Sequence, residues 1–154
     1  MIHYDGKLEG FVSTAEFIKK YGVGEGGYVQ KTVDRAVIQT CVPYVPFDEG
    51  VLVGSANTAT KVGSGEVVYD TPYARYQYYG EVWGPNFPIV ENGVITGWRS
   101  PKEKHPTGRQ LDYGNSHEKH DPRAGSHWFD RAMADHKDEI LKEAQDAANR
   151  GRTP

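Results

Sequence analysis

The chain has a single cysteine, Cys41, among its 154 residues. One thiol excludes an internal disulfide framework and fits a reducing compartment. No stretch approaches the roughly 20 consecutive apolar residues that a membrane span needs, so no membrane partner is expected. The opening residues Met1 to Lys7 have neither the basic nor the apolar region of a secretory signal. Charge of neither sign prevails: 18 Lys+Arg against 21 Asp+Glu give a net charge of −3, which offers no global polycation for gripping nucleic acid. Apolar residues are also scarce, at 37%, with a mean hydropathy of −0.69. That supports a modest core with long polar excursions, and the 12% aromatic content argues against a wholly disordered chain.

What is present is unevenly distributed. The 18 glycines and 9 prolines punctuate the chain into short elements. Residues 1–98 carry 7 basic and 11 acidic side chains, whereas residues 99–123 carry 6 and 4 and hold three of the six histidines. Only that middle segment leans basic. The length fits one domain. We expect an N-terminal arm over 1–26, a single α+β domain over 27–150 with a long polar loop at 99–123, and a frayed tail at 151–154.

Local patterns place the elements. Thr14 to Lys20 can form two helical turns before the glycine-rich run Gly22 to Gly27, whose spacing fits no nucleotide-binding loop. Val29, Val33, Ala36, Val37, Thr40 and Cys41 recur at helical period and predict a helix over 27–42, ended by Pro43 and Pro46. Lys31, Asp34, Arg35 and Gln39 fall off that stripe. Asp48 can cap a turn or helix start at 47–50. The Val- and Thr-rich residues 51–62 and the run Glu66 to Asp70, joined through Gly63-Ser64-Gly65, predict an antiparallel hairpin.

Thr71-Pro72 opens and Gly80 closes a short helix over 72–79. Five of the ten tyrosines lie between Tyr69 and Tyr79. Tyrosine combines a large apolar body with a polar tip, so Tyr73, Tyr76, Tyr78 and Tyr79, with Arg75, are candidates for a subunit or partner interface. A second hairpin is predicted over 87–98 around Asn92-Gly93, the favoured tight-turn pair. Gln110 to Tyr113 can form a short strand within the polar stretch. Phe129, Met133, His136, Ile140, Ala144 and Ala147 recur at steps of three and four and predict a long helix over 126–150, with Ser126 as cap. The expected architecture is therefore α+β: an antiparallel sheet within roughly 51–98, packed against the helices 27–42 and 126–150.

Catalytic patterns are thin. His117-Glu118-Lys119-His120-Asp121 is rich in ligand types, but the zinc-protease pattern sets its histidines at i,i+4 and these stand at i,i+3 before Pro122. Cys41 lies on a core stripe, and no serine sits in a nucleophile elbow. No enzyme, cofactor or metal is expected. A metal-dependent site at His117 and His120 is the lesser alternative, and a soluble α+β protein-binding module is another.

Several segments in order resemble minor capsid proteins of long-tailed bacteriophages. They are Pro43 to Leu52, Ser55, Gly65 to Tyr69, Pro72 to Gly80, Trp128 to Met133 and Lys137 to Leu141, spanning roughly residues 28–147. These proteins are similar to the wider group of neck proteins that join head to tail and complete tails. Glu49 stands where that group often has Thr, and Gln77 and Tyr78 lie near a position where it often has Glu. The resemblance implies that Asp48, Gly50, Leu52, Gly80, Trp128 and Phe129 are structural positions. It implies a virion component in a homo-oligomeric ring, hexameric by preference. Its neighbours would be head-closure or adaptor proteins and tail-terminator or tail proteins. Genomic DNA would pass through the ring without specific binding, and assembly would take place in the bacterial cytoplasm.

Overall fold

The computed structural model describes residues 14–151. The chain is α+β, as expected. Its helices are α1 (Thr14–Tyr21), α2 (Tyr28–Cys41), α3 (Val51–Ala59), α4 (Ala74–Tyr79), α5 (Gly114–Lys119) and α6 (Trp128–Arg150). Its strands are β1 (Glu81–Gly84), β2 (Phe87–Glu91), β3 (Val94–Arg99) and β4 (His105–Gln110). They form two antiparallel pairs, β1 with β4 and β2 with β3. The described residues group into two compact units.

The first unit takes in residues up to 37, 61–66 and those from 138 onward. Its buried apolar residues are Val29, Ala36, Val37, Ile140 and Ala147. Its organising group is polar. Asp34 is only 2% exposed. Its carboxylate accepts the backbone N–H groups of Gly63 at 2.6 Å and Gly65 at 3.2 Å, and the Gln30 side-chain amide at 2.8 Å. The expectation that Asp34 lies off the buried stripe is thus corrected. The glycine turn carries donors with no backbone acceptor, and a buried carboxylate from α2 supplies one.

The second unit is residues 38–60 and 67–137. Trp128, 3% exposed, is its large buried aromatic. It meets Tyr69 edge-on at 5.3 Å between ring centres and Tyr78 at 4.8 Å. Tyr44 is also buried; it donates its hydroxyl proton to Asp135 at 2.6 Å and lies beneath the guanidinium groups of Arg123 and Arg131. The bond to Asp135 raises the Tyr44 pKa, because the neutral phenol is the form that donates.

Four sequence expectations are overturned here. Residues 51–59 are helix α3, and residues 66–70 are not a strand, so no hairpin spans 51–70. The inner face of α3 is Leu52, Ser55 and Ala56, a helical spacing hidden from hydropathy because small and polar residues carry it. Its hydroxyls are satisfied locally: Ser55 donates to the Leu52 carbonyl at 2.7 Å and Thr58 to that of Ser55 at 3.2 Å. Thr60 ties the extended segment instead, accepting the Val68 N–H at 3.0 Å on its hydroxyl oxygen.

The polar stretch 99–123 is not one irregular loop, since it holds β4 and α5. The strand expected at 110–113 lies earlier, at 105–110, where Gly84 pairs with His105 and Glu81 with Gln110. Finally, Phe129 is 43% exposed although the long helix was expected to bury it. Trp128 and Ala132 take the inner positions of that turn.

Candidate interaction surfaces

Helix α4 ends where expected. Gly80 has φ +71, and its N–H bonds the Tyr76 carbonyl at 3.0 Å. A Cβ there would stand 2.8 Å from Cβ of Ser126, so the close approach also requires glycine. The tyrosines around this helix divide between two tasks. Tyr78 is half-buried: its ring packs on Trp128 and its hydroxyl donates to Asp130 at 2.8 Å. Burial, reinforced by that bond, raises its pKa to about 12. Tyr76 packs against Trp83 at 5.4 Å, and the Arg75 guanidinium lies over the same indole at 5.9 Å. Tyr73 and Tyr79 are exposed, Tyr79 beside the His127 ring.

Tyr73 borders a cleft of about 360 Å³. Its apolar wall is Phe47, Val51, Leu52 and Tyr113, and Asp48, Glu49 and Asp112 stand around it. Leu52 is buried, Val51 is exposed, and Gly50 heads α3 with the Phe47 ring packed beside it. Asp48 does not cap α3. It accepts the Lys119 ammonium at 2.7 Å and the Asn115 amide at 3.0 Å, and the lysine holds its pKa below the usual carboxylate value. Three acids against one lysine leave this rim negative.

The hairpin of β2 and β3 is the second surface. Asn92 and Gly93, both at positive φ, make its turn, as the sequence predicts. Opposed residues share a face. Pro88 pairs with Trp98 and Val90 with Ile95, which gives one face with no charge on it. Phe87, Ile89 and Val94 lie on the other face with Glu91 and Arg99. Nothing among the described residues covers these side chains: Trp98 is 63% and Ile95 54% exposed. Sequence predicts the hairpin but not its lack of cover, because alternation was missing from both strands and no partner could be read from them.

A second cleft, of about 750 Å³, continues from this face. Trp98 belongs to its wall together with Trp83, Pro85, His105 and Pro106, and Arg109 gives it positive character. Among the described residues the Arg109, Lys102 and Lys104 side chains pair with no acid.

The alternative centre at His117 and His120 is occupied by the fold. His117 Nε2–H donates to the Ala124 carbonyl at 2.8 Å and His120 Nε2–H to that of Val42 at 2.9 Å. The His120 ring also stacks on Phe47 at 4.8 Å. Among the described residues no three His, Cys, Asp or Glu side chains gather as a metal site. Cys41 is fully buried, and burial pushes its thiol up to about 11. No helix among the described residues is long and apolar enough to cross a membrane. Set beside known proteins, the chain matches no family model, and no curated protein and no solved structure is significantly similar to it.

Proposed function

We propose that the chain is a structural subunit of the neck of a long-tailed bacteriophage. Copies of it form a ring, with six the favoured number, between a head-closure or adaptor ring and the tail-terminator or tail proteins. Genomic DNA passes through that ring without specific binding. The protein is assembled in the bacterial cytoplasm and ends in the virion.

One observation carries the reading: the uncovered apolar hairpin of β2 and β3. Monomers rarely expose contiguous apolar patches of this kind, and an open strand pair invites pairing by another chain. A subunit that completes its burial against neighbours has this surface. A structural role also agrees with the bonding of the His117 and His120 imidazoles to backbone carbonyls and with a thiol that stays protonated at neutral pH.

Electron microscopy of lysates from the phage with this gene deleted tests the reading. DNA-filled heads lying beside finished, unattached tails are the expected result. Normal infectious virions would overturn it and bring the protein-binding module forward.

A further inference from the structure

Two surfaces of the second unit share no residue and have opposite character. One is the uncharged hairpin face, Pro88, Val90, Ile95 and Trp98, continued by the cleft that holds Arg109 and His105. Lys102 and Lys104 follow the hairpin root and outnumber Glu103 there, while Arg99 and Glu91 both sit on the opposite face. The other is the cleft around Val51 and Tyr73, rimmed by Asp48, Glu49 and Asp112 with Lys119 as its single cation.

We propose that these surfaces are the two halves of one contact between copies of this chain, the hairpin face and basic cleft of one copy seating on the acid-rimmed cleft of the next. The occupant, a second copy, rests on the ring reading above. Charge complementarity selects the pairing. A hairpin-to-hairpin contact would oppose the basic roots of two copies, and a contact between two acidic rims would oppose carboxylates. Like charges brought together and desolvated disfavour a wrong pairing strongly. The four side chains of that face present roughly 400 Å², so with an equal area on the partner they supply about 800 Å², and the walls of the adjoining cleft must add the remainder of the roughly 1,200 Å² of a specific interface.

The geometry has a further consequence. Two different patches on one subunit make a heterologous contact, which propagates from copy to copy and closes as a ring if the rotation allows. Neither patch is used up in a dimer. The same chain thus carries both a socket and the element that fills it.

Sedimentation velocity and native mass spectrometry on the full chain test this, at about 100 µM, where a micromolar contact is saturated. The unsubstituted chain is expected to assemble beyond the dimer. Ile95→Glu and Val51→Glu each place a carboxylate in the apolar part of one half and are each expected to weaken association about 100-fold or more. Both positions are exposed, so an unchanged circular dichroism spectrum is expected. An equimolar mixture of the two variants retains one good hairpin face and one good cleft, and is expected to give one-to-one dimers that grow no further.

A Val51→Glu chain that assembles like the unsubstituted one would overturn the proposal, and so would an unsubstituted chain that stays monomeric. Should either variant unfold, Ile95→Cys and Val51→Cys copies mixed and treated with a bis-maleimide provide a second measurement, since Cys41 is fully buried. A crosslinked mixed dimer is expected, and its absence overturns the contact. The virion reading fails separately: a monomer in solution, with unjoined heads and tails in the deletion lysate, would remove this contact and leave the neck role standing.

Discussion

Asp34 illustrates what a single buried carboxylate can hold together. It gathers two backbone donors of the 61–66 turn and the Gln30 amide. Asp34→Ala leaves those N–H groups without their acceptor, and the expected cost is about 2–4 kcal/mol in chemical denaturation, at about 1–3 kcal/mol per unsatisfied donor. Trp128 and Phe129 give a second contrast at this scale. Trp128→Ala is expected to cost about 3–5 kcal/mol, whereas Phe129→Ala should cost less than about 1 kcal/mol, because one ring fills the core and the other faces solvent. Thermal unfolding of the two variants separates them. The pair was only half legible: both are large aromatics at the start of a helix, and neighbours on a helix differ by 100° in direction. Which of them turns inward depends on Tyr69 and Tyr78, not on the helix itself.

At the level of elements, the Asn-Gly turn and the glycine stop were legible, whereas the start of α4 was not: Thr71-Pro72 was expected to open it, and the helix begins at Ala74 behind an uncapped Tyr73. The Asn92-Gly93 turn and the Gly80 stop of α4 stand where turn and cap rules put them. Gly80→Ala is expected to cost about 1–2 kcal/mol for the left-handed conformation alone, with more from the close contact at Ser126. A drop in melting temperature with unchanged helix content would be its mark. Helix α3 was illegible for the opposite reason. Its Val and Thr residues favour strands weakly, and a Leu–Ser–Ala inner face gives no hydrophobic period. Burial of those small side chains prevails over propensity. Likewise β4 lies in sequence that looks like loop, His105 to Gln110, because it is held by pairing with β1 and by Thr107, whose hydroxyl donates to the Val82 carbonyl at 2.6 Å.

The whole molecule answers to pH through its tyrosines. Burial raises Tyr78 and Tyr113 to about 12 and raises Tyr69 further, while a hydrogen bond to Asp135 raises Tyr44. A phenol whose folded pKa lies above its unfolded value near 10 stabilises the fold below pH 10, and that contribution is lost as pH rises through the folded value. Stability is therefore expected to fall between about pH 10 and 12. Absorbance at the tyrosinate band should show a cooperative step that coincides with unfolding. The net charge of −3 leads to a different expectation for nucleic acid. Its acids outnumber its bases and the basic group around Arg109 is small, so the chain should not retard duplex DNA at about 0.15 M salt, where screening is strong, and gel mobility tests this. Retention there would mean that a basic surface of the chain grips DNA.

By itself the sequence determined the α+β class, the two longest helices, the Asn-Gly hairpin and the glycine stop of α4. These follow from periodicity and from backbone conformations that few residues tolerate, both local properties. Only the tertiary structure decided the rest: that Asp34 is a buried acceptor, that 51–59 is helix, that Trp128 rather than Phe129 enters the core, and that no described residue covers the apolar hairpin. Each of these depends on what lies opposite a side chain in space, and partners far apart in the chain leave no trace in local pattern.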